Sequence, residues 1–200
     1  MKGNRNMKYS VVYSSNTGNT EMLAKRIKEI IPANDLTYFG KADKVAEEAD
    51  IIFVGSWTDK GNCSEDIIEF LNNLSGKKVF IFATAGFGAS QSYFEQLESR
   101  MASNLPDDNQ VIGSFLCQGK MPMSVRTRYE SLAKSKPDMA NQMLENFDKA
   151  LSHPDENDLL NLESEVKKCF KLISFSLFTT INYKKLCRLC TKVSFNVCFH

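Results

Sequence analysis

The chain of 200 residues has the length of one ordinary domain, or of one domain with an appendage. Its hydrophobic content of 42% and charged content of 24% are typical of a globular protein and exclude a disordered or fibrous one. The net charge of +1 conceals two regions: residues 1–170 carry a net charge of −4, whereas residues 171–200 hold five cations and no acid. We therefore predict a disordered segment at 1–7, one folded domain at 8–170 and a separate tail at 171–200.

The two ends of the chain carry no targeting pattern. The polar segment Met1–Asn6 is not followed by the apolar region of a signal peptide, and the apolar stretch Leu172–Ile181 is too short to span a membrane. Cysteines scattered at Cys63, Cys117 and Cys169 are typical of reduced thiols. We predict a cytoplasmic protein without a transmembrane segment or a nucleic-acid partner.

Five apolar runs of strand length follow one another along the chain. They are Tyr9–Tyr13, Leu36–Phe39, Ile51–Val54, Val79–Phe82 and Val111–Leu116. Continuous apolar runs, as opposed to alternating ones, indicate strands that are buried on both faces, as in a parallel sheet.

Apolar residues at helical spacing fill most of the connections, whereas the connection at 41–50 is short and only weakly helical. The stripes are Leu23, Ile27, Ile30 and Ile31; Ile67, Phe70, Leu71 and Leu74; Phe94, Leu97 and Met101; Met143, Phe147 and Leu151; and Leu159, Leu162, Val166 and Cys169. Strands that alternate with helices predict an α/β fold with a doubly wound, five-stranded parallel sheet. In such sheets ligands bind beyond the carboxyl ends of the strands.

A polar loop, Ser14–Thr20, joins the first strand to the first helix; we call it the phosphate loop. Its hydroxyl residues Ser15, Thr17 and Thr20 surround a helix N-terminus, whose unpaired N–H groups bind anions. The loop contains no Lys, so it is not the loop of ATP and GTP enzymes, and the lack of a G-x-G-x-x-G pattern argues against a standard dinucleotide site. It suits a monophosphate ester; the alternative is a polar turn that only caps the helix.

The segment Val12–Glu21 resembles the phosphate-binding loop of the flavodoxin family, whose core pattern is S/T-x-T-G-N-T. The order of elements resembles that family from Lys8 to Phe170. The resemblance implies a flavodoxin-like fold with strand order 2-1-3-4-5 and FMN as a non-covalent cofactor. It also implies that the FMN phosphate is bound by Ser15, Asn16, Thr17, Gly18, Asn19 and Thr20.

The second candidate loop follows the third strand and contains Trp57, the only tryptophan of the chain. An indole stacks on a flavin ring with little loss of conformational entropy. In the resembling family a glycine here turns its peptide toward the flavin, and Gly61 is the candidate. We predict contacts from Ser56, Trp57, Thr58 and Gly61; the alternative is that Trp57 fills the end of the core.

The third candidate loop follows the fourth strand, where two glycines flank an aromatic residue. Backbone groups there would approach the edge of a flat ligand closely. The candidates are Thr84, Ala85, Gly86, Phe87 and Gly88, with Tyr93 downstream. The segment lacks the Gly-Asp pair and the acidic lining of many flavodoxins that carry electrons.

Two cysteine-containing segments remain. The segment Cys117–Pro122 follows the fifth strand and borders either the flavin or a partner, and we interpret Cys117 as a buried structural thiol. In the tail, Cys187, Cys190, Cys198 and His200 offer four zinc ligands, but their spacing matches no common zinc finger. A basic, aromatic tail would also suit a membrane surface or an acidic partner. We favour an appended segment with no role in the fold, and we predict no metal site.

We interpret the chain as an FMN-binding electron-transfer protein that delivers reducing equivalents to a partner reductase or oxidase, with no catalytic side chain of its own. In the resembling family, some single-domain members accompany separate reductases, including ones acting on tetrapyrroles. Two alternatives stay open: an FMN-dependent NAD(P)H oxidoreductase acting on a small organic acceptor, and a flavin-free interaction module.

Overall fold

The computed structural model describes residues 7–88 and 90–173 of the chain. Its strands are β1 (Tyr9–Tyr13), β2 (Leu36–Gly40), β3 (Ile51–Asp59), β4 (Asn62–Cys63), β5 (Lys78–Ala85) and β6 (Gln110–Gln118). Five of them run parallel in the order β2-β1-β3-β5-β6, and the short β4 pairs antiparallel with β3. This confirms the predicted parallel α/β fold and its strand order, with β4 as an addition.

Three helices of the described chain connect parallel strands, and three more follow β6. They are α1 (Asn19–Ile30), α2 (Glu65–Asn73), α3 (Gln91–Ala102), α4 (Met123–Leu132), α5 (Pro137–Ala150) and α6 (residues 156–173), with a short 3-10 helix at Lys44–Glu48. The predicted stripes supply the buried faces: α1 buries Leu23 and Ile27, and α2 buries Ile67, Phe70 and Leu71. Residues three and four positions apart share one helix face, which explains these stripes.

The core lies around the two central strands, β3 and β5. The residues of Ile51–Val54 and Val79–Phe82 are all at most 2% exposed, as expected for strands covered on both faces. Gly55 permits this packing, because a Cβ atom there would lie 2.2 Å from the ring of Phe82. The two central strands are therefore closely packed on both faces of the sheet.

The two central strands are longer than the sequence predicted. Ser56, Trp57 and Thr58 belong to β3, and Thr84 and Ala85 belong to β5, although all five were expected in loops. The apolar runs stop earlier, but the parallel backbone pairing continues through Trp57 and Thr84. Backbone pairing between neighbouring strands thus continues beyond the apolar residues from which the strands were predicted.

The C-terminal part of the described chain differs from the prediction in its helices. Leu151 follows α5 and is 49% exposed, so it does not continue the buried stripe formed by Phe147. The helix α4 was not predicted at all, and it buries none of its residues. No helix among residues 7–88 and 90–173 is long and apolar enough to cross a membrane.

The contacts divide the chain into two compact units, Met1–Glu165 and Val166–His200. In the first unit Leu162 is fully buried, and in the second Val166 is too. The domain boundaries expected at 7/8 and 170/171 stay predictions. Residues 1–6 and 174–200, and with them the cysteines and the histidine of the tail, lie outside the described residues.

Candidate functional site

The carboxyl ends of the parallel strands meet at one edge of the sheet, beside a cavity of about 580 Å³. A cavity of this volume is typical of sites for small ligands and cofactors. Residues from all three predicted loops line it, namely Asn16, Thr17, Asn19, Trp57, Thr58, Thr84, Ala85 and Gly86. The fold thus brings the three segments together around one space.

The other predicted site residues are not among the described residues that line this cavity. They are Ser15, Gly18, Thr20, Ser56, Gly61, Phe87 and Gly88. Most of these residues lie behind the cavity lining, where their contacts or backbone angles determine the shape of the loops. Their contribution to a bound ligand stays a prediction.

Two hydroxyl groups of the phosphate loop accept hydrogen bonds from the loop and from the residue that follows it. The Glu21 N–H donates to Ser15 Oγ at 3.3 Å, and Asn19 Nδ2 donates to Thr17 Oγ1 at 2.8 Å. Because both hydroxyl oxygens act as acceptors, each retains its own proton for donation to another group. Gly18 turns the chain into α1 with a φ of +85°, a value that glycine adopts without strain.

Asn19 is the first residue of α1 and is only 5% exposed. Its Nδ2 donates to Thr17 Oγ1 and to the Lys120 carbonyl at 2.9 Å, but its Oδ1 has no partner. It is the only such buried side-chain atom among the residues that the structure describes. A buried acceptor without a partner beside a cavity is expected where a ligand supplies the donor. Together with the hydroxyl groups and the helix N-terminus, it fits a ligand that carries both phosphate and hydroxyl groups.

Thr20 lies behind the cavity wall. It is fully buried, and its Oγ1 lies 2.9 Å from Thr84 Oγ1, which joins α1 to β5. Thr58 Oγ1 donates to the Thr84 carbonyl at 3.0 Å. This chain of hydrogen bonds holds the phosphate loop and the two central strands at a fixed separation.

Trp57 lies near the end of β3, is partly exposed and lines the cavity. The preceding Ser56 is buried; its Oγ donates to the Trp57 carbonyl at 2.7 Å and accepts from the Ser64 N–H at 2.8 Å. Gly61 forms the turn into β4 with a φ of +80°, and a Cβ atom there would lie 2.8 Å from Arg100. Trp57 thus lines the cavity and is not among the buried core residues of the described chain.

The third loop, Gly86–Gly88, is held by residues from far along the chain. The Gly86 carbonyl accepts from Gln118 Nε2 at 3.2 Å and from Asn146 Nδ2 at 3.0 Å. The Gly88 N–H donates to Asn146 Oδ1 at 3.3 Å. These two backbone groups, which we expected to contact a ligand, thus have partners within the protein. Phe87 is 38% exposed, and its ring packs edge-on against Tyr93.

Nine further residues that were not among the predicted site residues also line the cavity. They are Lys60, Gly119, Lys120, Met121, Pro122, Ser124, Val125, Arg128 and Tyr129. The segment Cys117–Pro122 was expected to border either the flavin or a partner, since it follows a strand that ends at the same edge of the sheet. The α4 residues gave no signal, because a helix that buries no residue has no apolar stripe to reveal it.

Cys63 and Cys117 are buried, and burial disfavours the thiolate form of each. Burial, opposed by a hydrogen bond to Ser56, raises the pKa of the Cys63 thiol to about 12. Burial also raises the pKa of Cys117, which is 4% exposed. Since the thiolate is the reactive form, the raised pKa disfavours reaction of both thiols at neutral pH. Cys117 is buried, as expected, and its structural role stays a prediction.

The sequence matches a protein family and curated relatives. A family described as "Flavodoxin domain" matches residues 10–167. The Flavodoxin-like domain-containing protein BilS of Clostridium symbiosum is 37% identical, over 76% of this chain and 90% of its own. Its namesake from Clostridioides difficile is 36% identical, with the same two shares. The solution structure of two-electron reduced Megasphaera elsdenii flavodoxin is similar at a TM-score of 0.40 and 23% identity, covering 58% of this chain and 89% of that one.

Proposed function

The chain belongs to the flavodoxin domain family, and from this premise we propose that it binds FMN non-covalently and passes electrons from it to a partner protein. The observation that carries the proposal is the phosphate loop. It combines hydroxyl donors, an unpaired Asn19 Oδ1 and the N-terminus of α1 at one end of the cavity. Membership of the family supports a flavin-binding redox role for the same edge of the sheet.

Different residues of the cavity would bind different parts of FMN. Thr17 and Asn16 lie where the phosphate and the adjoining hydroxyl groups of FMN would be held, and Trp57 offers a flat apolar surface for the ring. Bound FMN supplies reversible electron transfer, and the protein sets its orientation and its access to solvent and partners. No acid–base side chain is assigned a catalytic role, because the lining residues suit binding.

We propose that the protein delivers electrons to a separate reductase or oxidase. A tetrapyrrole reductase is one candidate, which the family resemblance suggested. The absence of a recognisable nicotinamide-binding motif in the sequence favours a carrier over an NAD(P)H oxidoreductase. We expect the purified, FMN-loaded protein to leave NADPH unoxidised until a reductase is added; rapid oxidation of NADPH by the protein alone would favour the enzyme.

The test of flavin binding uses Trp57 as its reporter. Addition of FMN is expected to quench the Trp57 fluorescence, and Trp57→Ala is expected to weaken binding by roughly 1–3 kcal/mol, the range for stacking of an aromatic side chain on a base-like ring. The control is Trp57→Phe, which retains an aromatic ring and should restore most of the affinity. Unchanged emission at saturating FMN would assign the indole to another role and would remove Trp57 from the site.

We also propose a cytoplasmic location. The buried Cys63 and Cys117 are free thiols in the described structure, which supports a reducing compartment. Fractionation of the native cells, with detection by an antibody, tests this location directly.

A further inference from the structure

The cavity has an unusual distribution of charge. Lys60, Lys120 and Arg128 line it, whereas no acidic residue is among its described lining residues. Within the described part of the chain, none of these three cations has a carboxylate partner. Arg126, on the same helix as Arg128, instead pairs with Glu130 at 3.1 Å. The cavity therefore presents uncompensated positive charge, in a domain whose first 170 residues carry a net charge of −4.

Of the three cations, Lys120 is the one whose backbone is bonded to the phosphate loop among the described contacts. Its carbonyl accepts from Asn19 Nδ2 at 2.9 Å, and its N–H donates to the His153 carbonyl at 2.9 Å. The preceding Gly119 N–H donates to the Ala85 carbonyl at 2.9 Å. Three hydrogen bonds thus fix the backbone of residues 119 and 120 beside the first residue of α1.

The packing at Gly119 explains why residues 119 and 120 lie so close to α1. Gly119 is buried, and a Cβ atom there would lie 2.6 Å from Asn19 Nδ2, so only glycine allows the segment to lie directly on α1. The Lys120 side chain, in contrast, is exposed and lines the cavity. A rigid backbone thus positions a flexible, unpaired ammonium group next to the phosphate loop.

The phosphate loop itself contains no cation, although a phosphate monoester carries a charge between −1 and −2 at neutral pH. We propose that Lys120 supplies this missing cation, so that the phosphate of the ligand is held by the loop on one side and by the Lys120 ammonium on the other. Lys120 is then a residue that determines specificity for FMN over riboflavin. This inference rests on the proposed function, because it assumes that flavin binds in this cavity.

The experiment compares the affinities of FMN and riboflavin for the full-length chain and its Lys120→Gln variant. We expect FMN affinity to fall about tenfold in the variant, as for loss of one partly solvated charge pair, while riboflavin affinity changes less than twofold. Added KCl should weaken FMN binding to the wild-type chain and have a smaller effect on the variant. Lys120→Arg should retain the preference for FMN, because it keeps the positive charge.

The matched control is Lys134→Gln, an exposed lysine just after α4 that does not line the cavity. It should leave both affinities unchanged. The fold should survive Lys120→Gln, because the three hydrogen bonds at residues 119 and 120 involve only backbone groups of this segment. An unchanged melting temperature of the ligand-free variant checks this.

Three results would overturn the inference. The first is an FMN affinity that Lys120→Gln leaves unchanged, and the second is an equal loss for FMN and riboflavin, which would place Lys120 at the ring. The third is an equally selective loss in Lys60→Gln, which would assign the effect to the overall charge of the cavity. If the wild-type chain binds neither flavin, the proposed function itself fails, and this inference fails with it.

Discussion

The phosphate loop and the third loop both contribute residues to one cavity but are held in place by different contacts. Within the phosphate loop some bonds join near neighbours, as between Thr17 and Asn19, and others reach distant residues, as between Thr20 and Thr84. In the third loop, the Gly86 carbonyl is held by Gln118 and by Asn146, which lie 32 and 60 positions further along the chain. The phosphate loop is thus shaped partly by its own sequence, whereas the described hydrogen bonds of the Gly86 carbonyl come from distant elements.

This difference has an energetic consequence. Closing a short loop costs little conformational entropy, whereas contacts across 60 positions form only after β6 and α5 are in place. We therefore expect substitutions in the phosphate loop to change ligand specificity. Substitutions among the supports of the third loop should change stability and the affinity for every flavin alike.

The largest effect is expected from the double substitution Ser15→Ala/Thr17→Ala. Two charge-assisted hydrogen bonds to the phosphate would be lost, so FMN affinity should fall about 100-fold or more while riboflavin affinity stays within about threefold. Titration of both flavins measures this. The control is Thr127→Ala/Ser131→Ala, which removes the same hydroxyl types from the exposed part of α4. Equal losses for the two flavins would contradict a phosphate role for the loop.

Asn146→Ala tests the hydrogen bonds that hold the third loop in place. The substitution removes bonds to Gly86 and Gly88 and should destabilise the fold by about 1–3 kcal/mol. It should also weaken FMN and riboflavin binding by the same factor, because it changes the shape of the cavity at the third loop and leaves the phosphate contacts unchanged. Denaturant unfolding and flavin titration measure the two effects. Asn141→Ala, an exposed position on the same helix, should change neither; a loss confined to FMN would break the distinction between the loops.

Gly18→Ala isolates the backbone contribution of the phosphate loop. A Cβ atom at Gly18 would meet nothing within 4 Å, so the expected destabilisation of about 1–2 kcal/mol comes from the left-handed φ of +85° alone. Gly76→Ala is the matched control, since Gly76 also has a positive φ and open surroundings. Both variants should lose similar stability in urea, but only Gly18→Ala should also weaken FMN binding. A similar loss of FMN affinity in both would mean that stability, and not the loop geometry, controls binding.

The smallest effect concerns Cys117, which pairs with Thr84 in the strand register. Because burial raises the pKa of its thiol, little thiolate forms at pH 8 and alkylation should be negligible in the native protein. Asn146→Ala should increase the labelling rate by loosening β6 beside the third loop. Mass spectrometry after timed alkylation measures this, and rapid labelling of the wild-type chain would show that β6 opens without the substitution.

The sequence by itself determined the parallel sheet, the phosphate loop and the place of Trp57 near the end of β3. Each depends on neighbouring residues: continuous apolar runs form strands buried on both faces, and hydroxyl groups before a helix create an anion site. Only the tertiary structure decided that Ser56 and Thr84 lie within strands, that Asn146 holds the Gly86 carbonyl and that Lys120 and Arg128 line the cavity. These features arise from pairing and docking between distant segments, and no local pattern encodes which distant segment a backbone group or a cation will meet.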